Sequence, residues 1–191
     1  NMKVFIHTYK INDWERVLQE QMDSIIDSGL SQSADIQVCD GDGEDKTLLD
    51  IWNYSQSNDG YILYLHNLGI TWQETKYEMI TEKYRRWVMT GVVDDWENYV
   101  LNLEKHDVVG DNYKPDTRLR SGLYKKHFAT NNWWTKTDYV KTLQEPNNLR
   151  QQKEWETWIC SGDGSFKELR QNFVDEPIQA YINPQLKNIP K

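Results

Sequence analysis

Apolar positions along the first part of the chain follow two rhythms. Lys3–Thr8 and Gly60–His66 carry the nearly continuous apolar runs Val4-Phe5-Ile6 and Tyr61-Ile62-Leu63-Tyr64-Leu65, the pattern of strands buried on both faces. Between them Trp14, Val17, Leu18, Met22, Ile25 and Ile26 recur at helical spacing, which predicts an amphipathic helix, with Asn12 and Glu15 as its capping pair and Gly29 as its stop. Asp35–Asp40 reads as a second strand, ending in the turn-forming Asp40-Gly41-Asp42-Gly43, and Lys46–Ser57 as a second helix through Leu48, Leu49 and Trp52. The alternation β-α-β-α-β predicts a parallel sheet with right-handed crossovers.

Beyond residue 70, Thr71 and Glu74 predict a capped start for a long helix whose buried stripe is Tyr77, Ile80, Tyr84, Trp87 and Val88, with Gly91 breaking it. A helix through Trp96, Tyr99, Val100 and Leu103 follows, then a strand at Asp107–Gly110, a capped helix over Thr135–Leu143 stopped by Pro146, and helices around Arg150–Ile159 and Phe166–Phe173. With no repeat and no low-complexity tract, the chain reads as one domain over 1–182, with a nucleotide-binding half at 2–110, an acceptor-side half at 111–182, and a Pro-punctuated linker at 183–191 towards a longer multi-domain protein. Asn1 ahead of Met2 reads as an expression scar.

Composition narrows the function. A formal net charge of −8 argues against a general nucleic-acid binder, because phosphate backbones attract proteins through Lys and Arg. Two cysteines, Cys39 and Cys160, with no ligand spacing support neither a disulfide framework nor a zinc site, so a reducing, cytoplasmic setting is expected. No apolar run approaches the roughly 18 residues of a membrane span. Nine Trp and eleven Tyr supply flat apolar faces with polar edges, suited to cores and to stacking on sugars alike.

In open α/β sheets ligands lie beyond the carboxyl ends of the strands. That rule selects His7-Thr8-Tyr9, Asp40-Gly41-Asp42-Gly43 and His66-Asn67-Leu68-Gly69. Asp40 and Asp42 offer hard oxygen ligands for Mg²⁺ or Mn²⁺, acceptors for a base or ribose, or simply an ordinary turn. His66 and His127 are each a structural histidine or a ligand; Arg85 and Arg86 belong either to a solvated helix face or to a phosphate site. Trp133 and Trp134 project to opposite sides of a strand, which predicts one ring in the core and one open to a ligand. There is no Walker loop, no Gly-x-Gly-x-x-Gly and no Gly-x-Ser-x-Gly.

Five segments, Lys3–Tyr9, Tyr61–Gly69, Asp107–Gly110, His127–Trp134 and Glu156–Ile159, together resemble a family of small GT-A glycosyltransferases, whose marks are Tyr-Leu-His-x-x-Gly, Asp-Val-Val-Gly and His-Phe-x-x-Asn-x-Trp-Trp. The likeness extends to the leading domain of a multi-domain viral enzyme that decorates a capsid glycan. It implies a GT-A-like, Rossmann-like α/β fold and transfer of a sugar from a nucleotide-sugar donor, UDP-linked, to a hydroxyl of a glycan or glycoprotein, assisted by Mn²⁺ or Mg²⁺ that neutralises the leaving diphosphate. Donor contacts would then fall on His7, Thr8, Tyr9, Asp40, Asp42, His66, Asn67, Gly69 and Arg85. Acceptor contacts would fall on Asn131, Trp133 and Trp134, catalysis on His127 with Glu156 as general base, and metal ligation on Asp40, Asp42 and His127. The chain departs from the pattern at Leu65-His66-Asn67-Leu68, where many such enzymes place Asp-x-Asp and where no carboxylate stands, so ligation by Asp40 or Asp42 is open and His66 or His127 is an alternative. Competing classes are a sugar-nucleotide nucleotidyltransferase, which lacks its Gly-rich loop here, and a non-catalytic carbohydrate-binding domain, a class that is mostly all-β.

Overall fold

The computed structural model describes residues 1–119 and 122–171; the expected linker at 183–191 and the last part of the expected acceptor half, 172–182, lie outside the described residues. The chain runs β1 (Met2–Thr8), α1 (Trp14–Asp27), β2 (Asp35–Asp40), α2 (Asp45–Ser57), β3 (Tyr61–His66), α3 (Glu78–Val92), α4 (Trp96–Asn102) and β4 (Val108–Asp111). Four short strands follow, β5 (Tyr113–Lys114), β6 (Thr117–Leu119), β7 (Gly122–Tyr124) and β8 (His127–Phe128), then β9 (Trp133–Lys136), α5 (Thr137–Val140), α6 (Gln152–Trp158) and β10 (Phe166–Arg170).

A mixed α/β architecture results. Its central sheet has the order β10-β4-β9-β3-β1-β2. β1 pairs parallel with β2 and β3, and β4 pairs parallel with β10, while β9 alone runs antiparallel, wedged between β3 and β4. The continuous apolar runs are explained by cover on both faces. Val4, Ile6, Leu63, Leu65, Val109 and Trp134 pack with Ile25 of α1, Val88 of α3 and Tyr99 of α4; Phe5, Ile62, Tyr64, Val108 and Trp133 pack with Ile51 of α2, Val140 of α5 and Trp158 of α6.

Alternation does send the Trp133 and Trp134 rings to opposite faces, but β9 is an interior strand and both faces are covered. The rings are 1% and 0% exposed, so the expectation that one indole lies open to a sugar is wrong. Trp134 Nε1 donates to the Val92 carbonyl at 2.7 Å, tying β9 to the end of α3.

Several element starts also move. Asn12 does not cap α1: it adopts φ +50° and its amide donates to the Ile70 carbonyl at 2.8 Å, leaving Asp13 at the cap position. Thr71 sits in a short 3₁₀ turn and Glu74 at φ +60°, so α3 begins only at Glu78. Thr135 belongs to β9, and the helix after it begins at Thr137. Phe166–Arg170 forms an edge strand beside β4 instead of a helix, because pairing with β4 satisfies its backbone while Phe166 and Leu169 pack on the two cores.

Gly91 continues α3 where a break was expected. A Cβ there would lie 2.0 Å from Arg170 Nη2, so the bare backbone makes room for that guanidinium. Arg170 Nη2 meets Asp111 Oδ2 at 2.7 Å and donates to the Trp87 carbonyl at 2.8 Å, its charge lies 4.2 Å from the Trp87 ring centroid, and Asp111 Oδ1 accepts from Tyr99 at 2.6 Å. Burial pushes the Asp111 carboxyl up; Arg170 and Tyr99 pull it back. Removing the guanidinium strands a fully buried carboxylate. Arg170→Met is expected to lower the unfolding free energy in urea by about 3 kcal/mol, the low end of the range for such a loss because Arg170 is itself a quarter exposed. Gly91→Ala is expected to act in the same direction, and unchanged midpoints for both would remove this clamp from the stability of the fold.

Candidate functional site

Because β9 runs against its neighbours, its first residue lies beside the carboxyl ends of β3 and β4: Trp133 pairs with Tyr64 and with Gly110. The segment leading into β9, which carries His127, Thr130, Asn131 and Asn132, is thereby laid across the ends of the parallel strands. Asn132 fixes it by accepting the His66 backbone N–H at 2.9 Å, and His66 Nε2 lies 3.1 Å from the Thr130 carbonyl. Two segments far apart in sequence meet at the edge where α/β sheets hold ligands.

At the centre is Glu44, only 8% exposed. Its Oε1 accepts a hydrogen bond from the Tyr64 hydroxyl and another, at 2.7 Å, from Asn131 Nδ2. Burial raises its pKa; the charge of His66 and the two hydrogen bonds act the other way, and the charge of Glu156 adds to the rise. Asn131 is held at φ +46°, a left-handed conformation asparagine tolerates better than most residues, and its Oδ1 is buried with no hydrogen-bond partner.

His66 acts on the Glu44 carboxyl directly, and His127 is linked to it through Glu156. His66 stacks on Tyr64 with centroids 6.3 Å apart. His127 packs on Tyr124 at 4.5 Å, and its Nδ1 lies 2.8 Å from the Lys125 carbonyl. A carbonyl only accepts, so Nε2 of His66 and Nδ1 of His127 carry protons; in the neutral form of either ring the opposite nitrogen presents a lone pair, and in the charged form a second N–H. Burial lowers the His127 pKa, while Lys125 and the charge of Glu156 oppose the shift. Glu156, on α6, accepts from the Tyr124 hydroxyl through Oε2 and from Gln152 at 2.7 Å through Oε1. His7 Nδ1 is 2.8 Å from the Thr47 hydroxyl of α2.

The structure therefore gathers His7, His66, Asn131, His127 and Glu156 of the expected site. Thr8 is buried at the end of β1 with an unpartnered hydroxyl, Tyr9 is half-buried beside it, and Asp40 is exposed and 3.3 Å from Lys10. Other expected residues are used by the scaffold. Arg85 is 1% exposed and enclosed by Glu20 at 3.3 Å, Glu82 at 3.8 Å and the Leu68 carbonyl at 3.2 Å, so it has no face left for a phosphate; Arg86 points to solvent. Asn67 does not reach out to a ligand: its amide clamps the Tyr9 backbone, donating to the carbonyl at 2.9 Å and accepting the N–H at 3.2 Å. Gly69 serves a turn at φ +85° and a close approach in which a Cβ would meet Thr81 at 2.7 Å. Trp133, buried in β9 against Tyr64, lies under the site and not at its surface, while Trp134 is buried in the layer on the other face of the sheet.

Among the described residues no three His, Cys, Asp or Glu side chains are grouped so as to hold a metal ion. Asp40, Asp42 and His127 thus do not make a ready cation cage, and Asp42 stands exposed on the β2–α2 loop.

Glu44, Tyr64 and Tyr124 were not anticipated. Tyr64 and Tyr124 read as core or loop aromatics, and Glu44 carried no signal, because a helix read from Lys46 leaves Asp45 as an ordinary cap; the structure starts α2 one residue earlier. Glu44 occupies the residue before α2, where Ser, Thr, Asp and Asn are favoured because their short side chains cap the helix; it makes no such cap, and its longer side chain is turned to Tyr64 and Asn131 instead.

Burial, with the charge of His66, lowers the His7 pKa from 6.5 to about 4. Between these values the unfolded chain binds the proton and the folded one does not, so stability falls as pH drops through the window. The loss between pH 7 and pH 5 is about 2 kcal/mol from this group. Urea unfolding of the protein and its His7→Gln variant at both pH values should show a pH-dependent difference of that sign, and parallel pH profiles would place the His7 ring in solvent.

Residues 3–180 match the model of the family described as Domain of unknown function (DUF8361). No curated protein and no solved structure matches the chain. The match spans the parallel strands, the β9 insertion and the residues around Glu44, and the chain belongs to the DUF8361 domain family.

Proposed function

We propose that this domain is a glycosyltransferase of the GT-A kind, which moves a sugar from a UDP-linked donor to a glycan hydroxyl. The observation that supports it best is the strand-end face itself: an aromatic-floored band of His7, Glu44, His66, Asn131, His127 and Glu156, brought together by a segment that resembles the His-Phe-x-x-Asn-x-Trp-Trp mark of such enzymes. A mostly parallel sheet with one antiparallel strand delivering that segment is compatible with the fold the resemblance implies. The likeness to the leading domain of a viral capsid-glycan enzyme fits the same reading.

On this reading the uridine lies against Thr8, Tyr9 and Asp40, at the β1 and β2 ends, and Lys10 offers a positive charge beside it. Asn67 acts at one remove, holding the Tyr9 backbone. At the other end His127 Nε2 and Glu156 face the attacking hydroxyl; a neutral imidazole, kept so by burial, takes the hydroxyl proton, and the Glu156 charge stabilises the imidazolium that forms. A Mg²⁺ or Mn²⁺ ion would take its oxygens chiefly from the donor diphosphate, with Asp42 as the free carboxylate on the adjoining loop, and would supply charge neutralisation to the leaving group.

A ligand that binds only the folded state raises apparent stability, so thermal shift with UDP-sugars reports on this site. The shift should grow with Mn²⁺ and shrink in excess EDTA, and Asp40→Ala should abolish it while leaving the unliganded melting temperature in place, since Asp40 is exposed. A full shift with Asp40→Ala, or one indifferent to EDTA, would remove that residue or the cation from donor binding.

In turnover assays with a glycan acceptor, Glu156→Gln should lower kcat by about tenfold or more, with donor binding intact. Full kcat in that variant would exclude the Glu156 charge from stabilising the imidazolium, and with it the general-base role expected of Glu156 from the sequence.

A further inference from the structure

We propose that the face around Glu44 is a subsite for a neutral pyranose, held through its hydroxyl groups and closed to acidic sugars. The identity of the molecule that brings the sugar rests on the nucleotide-sugar reading above; the chemistry of the subsite does not.

Several hydrogen-bond positions around Glu44 are unfilled. Glu44 takes both of its hydrogen bonds on Oε1, leaving Oε2 without a partner among the described residues. Asn131 gives its Nδ2 to Glu44 and leaves Oδ1 unpartnered, although the residue is 2% exposed. The Thr130 and Lys125 carbonyls take one ring N–H each from His66 and His127, so in the neutral rings the remaining lone pairs are His66 Nδ1 and His127 Nε2. Four acceptors from four side chains are thus unfilled among the described residues, against two unpartnered groups at the site that can donate, Trp133 Nε1 beside Tyr64 and the Thr8 hydroxyl, which can also accept. An unpartnered buried acceptor is costly, and a ligand that supplies donors removes that cost.

The chemistry selects the ligand. Phosphate and carboxylate groups only accept at neutral pH, so they leave these positions unfilled; at Glu44 they also meet a carboxyl on which Glu156, Tyr64, Asn131 and His66 act, with no Lys or Arg among them, the lysines of this side being Lys114, which acts on His127, and Lys153, 5.1 Å from the Tyr124 ring centroid. A divalent cation would fit acceptors, but no three of the His and acidic groups are arranged to hold one. Hydroxyl groups donate and accept, and a pyranose carries several on one rigid ring, so adjacent hydroxyls can serve Glu44 Oε2 and Asn131 Oδ1 together. The diphosphate is thereby kept towards Lys10 and Asp40, and the sugar is directed to the β9 side of the site.

The test is calorimetric binding of UDP, UDP-glucose and UDP-glucuronic acid to the whole chain, with methyl glucoside by saturation-transfer NMR as a ligand without nucleotide and Mn²⁺ alone as the cation control. UDP-glucose should bind more tightly than UDP, and UDP-glucuronic acid should lack that gain. Glu44→Gln should bind UDP as the parent does while the glucose-dependent gain falls about tenfold or more. Asn131→Gly, whose backbone accepts φ +46° freely, should reduce the same gain and gives a second reading if Glu44→Gln fails to fold. An undiminished gain in both variants, or tighter binding of the uronic acid, would overturn the subsite; so would Mn²⁺ binding that depends on Glu44, which would make it a cation site. If no UDP compound binds but methyl glucoside shows saturation transfer that Glu44→Gln removes, the nucleotide-sugar reading fails and the subsite stands. If neither kind of ligand binds, both fail.

Discussion

The constraint on which the structure depends is the insertion of one antiparallel strand into the interior of an otherwise parallel sheet. β9 completes the hydrogen bonding of β3 on one side and β4 on the other, so it can be neither an edge nor a loop. Its direction carries the larger consequence. A strand entering the sheet from the carboxyl ends of its neighbours draws the chain before it over those ends, and residues 127–132 become the cover of the candidate site. Asn132 extends the pairing by one side-chain bond to the His66 N–H, and the two tryptophans that begin β9 bury one indole in each hydrophobic layer. The same anchoring that makes the sheet continuous gives the site a rigid floor.

Charge is distributed to suit that arrangement. In a chain with 30 acidic and 22 basic residues, two of the arginines are held by the scaffold. Arg85 joins α3 to α1 through Glu20, and Arg170 joins β10 to β4 and α3 through Asp111 and the Trp87 carbonyl. In each case a planar guanidinium meets several acceptors at once, the kind of clamp a lysine ammonium serves poorly. The centre of the candidate site is left with carboxyl, amide and imidazole groups, while Lys10 stands at its β1–β2 end. Lysines also stand at the other end, where Lys114 acts on His127 and Lys153 Nζ lies 5.1 Å from the Tyr124 ring centroid, so the acceptors at the centre lie between cations.

Glu44 shows how a local departure from propensity becomes a tertiary contact of the candidate site. A glutamate before a helix forgoes a cap that a shorter side chain would make. What replaces the cap is a buried polar contact between the β2–α2 loop, the inner strand β3 and the segment before β9, made through Tyr64 and Asn131. Buried polar groups of this kind specify one arrangement strongly when satisfied and are costly when not. Here they are satisfied on one side only.

Much of this was legible in the sequence. The apolar runs of β1 and β3 and the helical spacing in α1 fixed a parallel βαβαβ unit, because a strand covered on both faces cannot alternate and a helix covered on one face must; the strand-end rule then marked His7, Thr8, Tyr9, Asp40 and His66 without any coordinates. Residues whose role depends on a distant partner were not legible. Gly91 reads as a helix breaker until Arg170 occupies the space beside it, Arg85 reads as a solvent or phosphate residue until Glu20 and Glu82 enclose it, and Phe166–Arg170 reads as helical until β4 offers it an edge. Trp133 and Trp134 make the same point most directly. Their alternation was local and was read from the sequence, whereas the burial of both rings followed from the position of β9 between β3 and β4, a choice made by pairing across 70 residues of chain that no local pattern encodes.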